Sequence, residues 1–286
     1  MKTKRPILPS IDDSLIDREK LIKKELDIIK AFVSLCEKHH LRYYISGGTG
    51  LGAIRHKGFI PWDDDVDINM PRVDYEKFLE VGQKELPSKY FVQTYMSDPD
   101  FREPFAKIRD SETTFIETYD QKLEINHGIW IDIFPIDGVP TSKAKFKSIL
   151  RFKKIVRGYV GKDYYPRTFP RKVAARLCQL ILFTRSTQKA LIRLDKKCKR
   201  YPFDECENTI VYSGTWGSRE IHKRETYGEG TNATFEGLTL KVPADYDTYF
   251  TELYGNYMEL PPVEQRVGRH LCSVCDLDKS YKEYRK

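Results

Sequence analysis

The stretch Ser46–Met70, SGGTGLGAIRHKGFIPWDDDVDINM, combines a glycine turn, a basic tripeptide and four aspartates. Successive side chains of a β-strand point to opposite faces, so positions 63, 65, 67 and 69 of a strand share one polar face. Three carboxylates on one face repel one another unless a cation lies among them, and ligands that offer only oxygen suit magnesium or manganese. We therefore expect Asp63, Asp65 and Asp67 to hold one or two such ions, whereas Asp64 falls on the opposite, apolar face.

The glycines before the aspartates predict a site for phosphate. Residues 42–46 have the pattern of a short strand, Gly47, Gly48 and Thr49 that of a tight turn, and residues 50–56 that of a short helix. The free N–H groups at such a helix start can cradle phosphate, and Arg55, His56 and Lys57 add positive charge beside it. A Gly-Gly turn alone is weak evidence of such a site, but the same turn shortly before an Asp-x-Asp strand is much stronger.

The run 48–67, GTGLGAIRHKGFIPWDDDVD, closely resembles the signature of LicD-type phosphotransferases, a branch of the nucleotidyltransferase superfamily that includes the fukutin-related proteins. A second run, FEGLTLKVPADYDTYFTELYGNYMELPP at 235–262, is also similar to that family. The resemblance implies an α+β fold, with a nucleotidyltransferase core of mixed twisted sheet flanked by helices. It also implies transfer of a phospho-alcohol, such as phosphocholine, from a CDP carrier to a sugar hydroxyl. Asp65 and Asp67 match the family's metal-binding pair, and Asp63 matches an extra family aspartate.

A later apolar strand supplies a candidate for the third carboxylate. The segment 128–135, GIWIDIFP, is apolar apart from Asp132 in its middle, and an ionised carboxylate is costly to bury unless it meets a cation. We predict that Asp132 joins Asp65 and Asp67 as a catalytic residue and a metal ligand, and the family has a matching aspartate in this context. The alternative is an aspartate that caps the edge of a strand. Asp137, in Pro-Ile-Asp-Gly, is expected to be a turn residue.

The composition describes a basic globular protein of 286 residues with 40% hydrophobic content, a net charge of +7 and a pI near 8.9. This charge suits an anionic partner, such as a nucleotide, an anionic glycan, a membrane surface or nucleic acid. The first residues lack a following apolar run and no stretch offers the roughly 20 apolar residues of a membrane span, so we expect a cytoplasmic protein. Its six cysteines are then expected to be free thiols.

The pattern along the chain predicts three parts. Residues 1–140 form the nucleotidyltransferase-like core, 141–205 an inserted or adjacent basic helical segment, and 206–286 a C-terminal portion that completes the domain. The core is expected to begin with an amphipathic helix over 13–38 and to contain a helix over 73–86. Short strands are expected at 90–94, 104–109, 113–117 and 210–213. Asp245 is expected to cap a final helix that runs through Met258.

The basic segment predicts two cationic amphipathic helices joined by a proline-rich loop at 162–170. Lys153, Lys154 and Arg157 are interleaved there with apolar residues. The helices can pack on the sheet with a solvated basic face, or they can dock on an anionic membrane or a lipid-linked acceptor. The second alternative is the basis for an expected peripheral contact with the inner face of the membrane.

Three alternatives compete with a CDP-alcohol-dependent transferase acting on a glycan or a lipid-linked glycan. An EF-hand-like calcium module fits Asp63, Asp65 and Asp67 at loop positions 1, 3 and 5, but Ile68 stands where that loop needs glycine. A nucleic-acid binder fits the charge, yet no nucleic-acid motif is present, so nucleic acid is not an expected partner. A nucleotidyltransferase that moves a nucleoside monophosphate from a triphosphate is the nearest enzymatic rival. Cys272-x-x-Cys275 with His270 also hints at zinc, although no second Cys-x-x-Cys pair exists.

Overall fold

A computed structural model describes residues 16–160, 169–266, 268 and 270–284, which form a mixed α+β structure. Its helices are α1 (Arg18–Lys38), α2 (Gly47–Arg55), α3 (Arg72–Glu85), α4 (Lys143–Val160), α5 (Phe169–Leu182), α6 (Thr187–Cys198), α7 (Arg224–Tyr227) and α8 (Tyr246–Tyr254). Its strands are β1 (Tyr44–Ile45), β2 (Asp67–Pro71), β3 (Tyr90–Gln93), β4 (Ala106–Asp110), β5 (Thr114–Glu117), β6 (Ile129–Gly138), β7 (Asn208–Ile210), β8 (Ile221–Lys223), β9 (Thr231–Phe235), β10 (Leu238–Val242) and β11 (Cys272–Asp276). The predicted α+β class is therefore confirmed.

The central sheet is organised around the long strand β6. The strand order is β1–β2–β6–β4–β3, and β7 joins the far end of β6 and pairs with β8. β2 runs parallel to β6, whereas β4 and β7 run antiparallel to it. Two further pairs, β9 with β10 and β5 with β11, are antiparallel. Because β6 contacts strands on both sides, any side chain on it has a fixed position relative to β2 and β4.

The main core lies between this sheet and α1. Ile28, Ile29 and Phe32 of α1 are fully buried, and the helix packs against β4 and β6. Asp17 caps the helix start by accepting a hydrogen bond from Lys20 N at 3.0 Å. Residues 13–15 of the predicted helix lie outside the described residues. Cys36 is 1% exposed, as expected of a core thiol.

Two predictions around the glycine turn and the aspartates are wrong in extent. The helix begins at Gly47 rather than Gly50, and the strand begins at Asp67 rather than Asp63. Residues 63–66 are irregular because this segment follows a turn, in which Asp63 N donates a hydrogen bond to Ile60 O at 2.9 Å. β2 then pairs with β6 from Asp67 onward and with β1 at Ile68 and Asn69.

Asp137 is a buried strand residue, so its prediction as a turn residue is wrong. It lies in β6 with 1% exposure, where both its carboxylate oxygens accept hydrogen bonds from Arg72 at 2.7 Å. Arg72 donates a third bond, of 2.8 Å, to Asp195 of α6. A turn motif in the sequence is overridden here because the carboxylate meets a buried guanidinium from α3.

The basic segment packs as helices against the sheet end at β7. Ile149, Val156 and Leu194 share a buried cluster with Ile210 and Tyr212. α5 begins at Phe169, and residues 162–168 of the predicted loop lie outside the described residues. In the described part of the chain, no helix is both long enough and apolar enough to cross a membrane.

The C-terminal portion adds a hairpin and a capped helix. β9 and β10 pair from Thr231↔Val242 to Phe235↔Leu238. Asp245 accepts a hydrogen bond from Thr248 N at 3.1 Å, which confirms it as the cap of α8. The helix ends at Tyr254 instead of Met258, because Gly255 takes a positive φ of 76°.

Candidate active site

The glycine turn lies directly against the aspartates. Ser46 N donates a hydrogen bond to Asp67 O at 3.0 Å, and Asp67 N donates one to Thr49 Oγ1 at 2.8 Å. A Cβ on Gly47 would lie 2.5 Å from Asp67 Oδ2, and one on Gly48 would lie 2.1 Å from Asp63 Oδ2. Gly47 has a positive φ of 55°, which favours glycine, and a side chain at Gly48 would displace the Asp63 carboxylate. The start of α2 and the carboxylates are therefore in direct contact.

Asp65, Asp67 and Asp132 meet at one point of the sheet. In the parallel pairing of β2 and β6, Asp67 is the register partner of Asp132. One carboxylate oxygen from each of the three residues lies within 4.8 Å of the others. Burial, and then the charges of Asp65 and Asp132, raise the pKa of Asp67 well above its usual range. Such a group of oxygen ligands fits a divalent cation, whose charge stabilises ionised carboxylates.

A lysine that the sequence analysis missed lies beside this group. Lys107 Nζ is 3.0 Å from Asp132 Oδ1 and 4.1 Å from the ring centroid of Trp130. Lys107 is 6% exposed and is the register partner of Asp132 on the other side of β6. The available signal was a lysine between the apolar residues Ala106 and Ile108 of a predicted strand, because a cation that is buried there needs an anion as partner. Lys107 therefore balances part of the negative charge of the site.

His270 was also not assigned to this site from the sequence. Its Nδ1 is 3.0 Å from Asp64 Oδ1, and its Nε2 is 3.8 Å from Asp65 Oδ2. Burial alone would lower the pKa of His270, but the hydrogen bond with Asp64 and the charges of Asp65 and Glu117 raise it to about 10. Some 200 residues separate the histidine from these aspartates, so no local pattern could have joined them.

Candidate metal ligands cluster at these aspartates and away from the two cysteines. Among the described residues, Asp65/Asp67/Asp132 and Asp64/Asp65/His270 are the groups whose ligand atoms lie close enough to share an ion. Cys272 is fully buried in β11 and, like Cys275, is a free thiol. The zinc site suggested by the sequence therefore has no support from the described geometry.

The other predicted binding residues occupy different places. Thr49 is 1% exposed, and its hydroxyl holds Asp67. Arg55 lies at the end of α2, about 12 Å along the helix from Gly47, and donates to Tyr257 O at 2.8 Å. His56 lies edge-on to Trp62, with ring centroids 6.5 Å apart, and Lys57 is exposed. The basic tripeptide is thus at the opposite end of α2 from the glycines.

A cavity of about 1170 Å3 opens over the three carboxylates. Gly47, Gly48, Asp63 and Arg55 also line it, whereas Thr49, His56 and Lys57 are outside the described lining. The wall continues over Trp216 and Tyr254 to α4. The cavity joins a carboxylate cluster to a helix start, which is the combination needed to bind and position a phosphorylated substrate.

Comparisons with known proteins identify relatives of this chain. The family model "LicD/FKTN/FKRP, nucleotidyltransferase domain" matches residues 40–166. The lipopolysaccharide cholinephosphotransferase LicD of Haemophilus influenzae is 30% identical over 257 residues, which cover 86% of this chain and 93% of that protein. The human ribitol 5-phosphate transferase FKRP is 26% identical over 105 residues, which cover 35% of this chain and 21% of that protein. An uncharacterized protein of Rickettsia typhi is 33% identical over 76 residues, a quarter of each chain.

These matches define a phosphotransferase. The chain belongs to the LicD/FKTN/FKRP family, as its aspartate signature indicated. The family model covers Gly47, Asp65, Asp67 and Asp132 together, so the carboxylate cluster lies within the matched region.

Proposed function

We propose that the protein transfers phosphocholine from CDP-choline to a hydroxyl group of a cell-surface glycan or its lipid-linked precursor. The observation that carries this proposal is the register of Asp67 against Asp132, which gathers the carboxylates beneath the glycine start of α2. Its support from relatives is the match to a lipopolysaccharide cholinephosphotransferase over nearly that protein's whole length. The core is proposed to have the nucleotidyltransferase fold, consistent with the description of the matching family.

Asp65, Asp67 and Asp132 are the residues that would hold Mg2+ or Mn2+, with Asp63 at the edge of the site. When bound, such an ion neutralises diphosphate oxygens and the charge that develops on the leaving group. The N–H groups at the start of α2 face the same region and favour an anion there. Lys107 fixes the Asp132 carboxylate from the side away from Asp67. The chain thus contributes mainly position and charge to the reaction.

The reaction is a substitution at phosphorus. The acceptor oxygen forms a bond to the phosphorus that carries choline, and the bond from that phosphorus to the bridging oxygen breaks. CMP leaves with the bonding electrons, and the hydroxyl proton passes to a base or to solvent. In-line displacement of this kind needs the donor diphosphate and the acceptor hydroxyl to be held in one cavity.

A contact with an anionic membrane is proposed at α5. Val173, Leu177, Leu180 and Ile181 are 43–67% exposed, and their spacing places them on one face of the helix. Phe183, just beyond the helix end, is 90% exposed, and Arg176 and Arg185 nearby are also exposed. Apolar side chains flanked by cations suit the lipid interface. A cytoplasmic location remains a prediction, which cell fractionation can test.

A binding screen tests the proposed reaction. CDP-choline, CDP-ribitol, CDP-glycerol and CTP are each titrated into the protein with and without Mg2+, and products are followed by mass spectrometry. We expect magnesium-dependent binding of CDP-choline and release of CMP. Tighter binding of CTP, with release of diphosphate, would instead show a nucleotidyltransferase.

A further inference from the structure

Two cations of α4 line the same cavity as the carboxylates. Lys153 and Arg157 are four residues apart, which places them one above the other on one face of the helix. Lys153 is partly buried, with its Nζ 3.4 Å from Gly214 O. Arg157 and the neighbouring Lys154 are both exposed, but Arg157 lines the cavity whereas Lys154 is outside its described lining. The helix therefore turns a specific pair of cations toward the cavity.

This pair is not balanced by an ion pair within the described residues. Like charges four residues apart on a helix destabilise each other, and burial followed by the charge of Arg157 lowers the pKa of Lys153. Glu220 is the acidic residue whose charge acts on Lys153, but Glu220 Oε1 accepts a hydrogen bond from Trp216 N at 3.1 Å. An anion placed between the two cations would relieve their repulsion.

The two cations belong to a different part of the cavity from the aspartates. The cations beside the aspartates are Lys107, whose Nζ is 3.0 Å from Asp132 Oδ1, and His270, whose Nε2 is 3.8 Å from Asp65 Oδ2. In CDP-choline the diphosphate carries the negative charge, whereas cytidine is neutral and choline is positive. The diphosphate belongs at the carboxylate cluster, and choline is repelled by Lys153 and Arg157. The donor therefore offers no group that needs these cations.

We propose that Lys153 and Arg157 form a subsite for a phosphate group carried by the acceptor. This inference rests on the proposed function and narrows the acceptor to a phosphorylated glycan or a glycan linked through phosphate to lipid. Val156 and Val160 line the cavity next to the two cations, so a phosphate with an apolar continuation also fits there. The shared chemistry is a phosphate whose other substituent is sugar or lipid.

Calorimetric titration tests this subsite with Mg2+ and saturating CDP, so that the donor position is filled. The probes are glucose 1-phosphate, methyl glucoside, which lacks the phosphate, and farnesyl phosphate, which joins phosphate to an apolar chain. The variants are Lys153→Gln, Arg157→Gln and, as the matched control on the same helix, Lys154→Gln. Thermal unfolding confirms that each variant is folded.

We expect Lys153→Gln and Arg157→Gln each to weaken binding of a phosphate probe at least tenfold, and Lys154→Gln to leave it unchanged. A preference for glucose 1-phosphate indicates a sugar phosphate as the natural group, and a preference for farnesyl phosphate indicates a lipid phosphate. Equal binding of glucose 1-phosphate and methyl glucoside, together with unaltered farnesyl phosphate binding in both variants, would overturn the subsite. Magnesium-dependent CDP-choline binding is measured separately, so failure of the subsite is distinct from failure of the proposed function.

Discussion

At the residue scale, the proposed metal site depends on Asp65 and Asp67 as ligands. Replacing either by Asn keeps the shape and removes the charge, so we expect loss of magnesium-dependent donor binding and of turnover, with the fold intact. Isothermal titration with CDP-choline measures the first and CMP release the second. Asp27→Asn on α1 is the control, because Asp27 is partly exposed and is outside the described lining of the cavity. Wild-type activity in both site variants would remove these residues from the mechanism.

Asp132 can act as a metal ligand or as the base for the acceptor hydroxyl. Its position opposite Asp67 and its ion pair with Lys107 favour the role of ligand. We expect Asp132→Asn to lower phosphocholine transfer by about 100-fold or more, and to lower slow donor hydrolysis in the same proportion. Transfer that falls while donor hydrolysis persists would identify a base instead. Paired assays with and without acceptor make this distinction.

Asp120 lines the cavity, and its raised pKa should make the stability of the protein depend on pH. Burial and the charge of Glu117 raise the pKa of Asp120 to about 7, whereas an unfolded aspartate titrates near 4. The folded protein therefore binds more protons in this window, and stability falls as the pH rises from about 4 to about 7. We expect Asp120→Asn to be more stable than wild type by about 1–2 kcal/mol at pH 8, but less so at pH 5.

Thermal unfolding at the two pH values measures this difference. Asp27→Asn is again the control, because its side chain is partly exposed on α1. A gain for Asp120→Asn that is the same at both pH values would reflect packing rather than ionisation of the carboxyl.

The site residues that were predicted from the sequence lie in short recognisable segments, whereas those that were missed reach the site from distant parts of the chain. Asp65 and Asp67 stand two residues apart in one acidic segment, although Asp65 precedes the strand, and Asp132 is a lone acid in an apolar run. Lys107 and His270 reach the same site from β4 and from the C-terminal region, across pairings that no single window contains. Asp64 was placed on an apolar face, yet it binds His270, because the strand starts only at Asp67.

At the element scale, the buried network of Arg72, Asp137 and Asp195 ties α3, β6 and α6 together. Removing one partner of a buried ion pair leaves an uncompensated charge, so Asp137→Ala should lower the free energy of unfolding by about 3–5 kcal/mol. Glu76→Gln, which breaks the exposed contact with Lys199 nearby, should change it by less than about 1 kcal/mol. Urea denaturation measures both, and equal effects would mean that burial is not what makes this network matter.

The exposed face of α5 is tested with lipid vesicles. Leu177→Glu and Leu180→Glu should weaken sedimentation with phosphatidylglycerol vesicles at least tenfold, because each places a charge in the apolar face. Val73→Glu on α3 is the matched control, since Val73 is 59% exposed but belongs to a different surface. From the sequence, the basic face with Lys153, Lys154 and Arg157 was one of two alternatives, a contact with an anionic membrane or a solvated surface. Lys153 and Arg157 line the cavity instead, so we expect α5 to carry most of the effect.

Concentration-dependent dimerisation that Leu180→Glu abolishes, without vesicle binding by the wild type, would show that a second copy covers α5 instead.

The helices themselves were predictable from periodicity, because apolar residues recur every three or four positions. Which face meets the cavity, the sheet or solvent was not, because that depends on how α4, α5 and α6 pack together.

At the scale of the whole molecule, charge is distributed very unevenly. Residues 141–200 contain 19 Lys and Arg and two Asp, so they carry +17, whereas the complete chain carries +7. The remaining chain is therefore acidic, and it holds the carboxylate cluster. The basic composition that suggested an anionic partner belongs to one segment. Net charge alone could not show that the segment supplies both a cavity wall and an exposed helix.

Two positions along β6 hold different parts of the cavity, and this separation bears on how the substrate could change. Asp132 and Asp137 are five residues apart on one strand, about 17 Å, and Asp137 holds α6 through Arg72. The carboxylate cluster and the proposed acceptor subsite are thus positioned by two different places along the same strand. A chimera that exchanges residues 141–200 for those of another family member should recognise a new acceptor and keep its donor, provided that the transplanted segment retains an acid at position 195 to dock on Arg72.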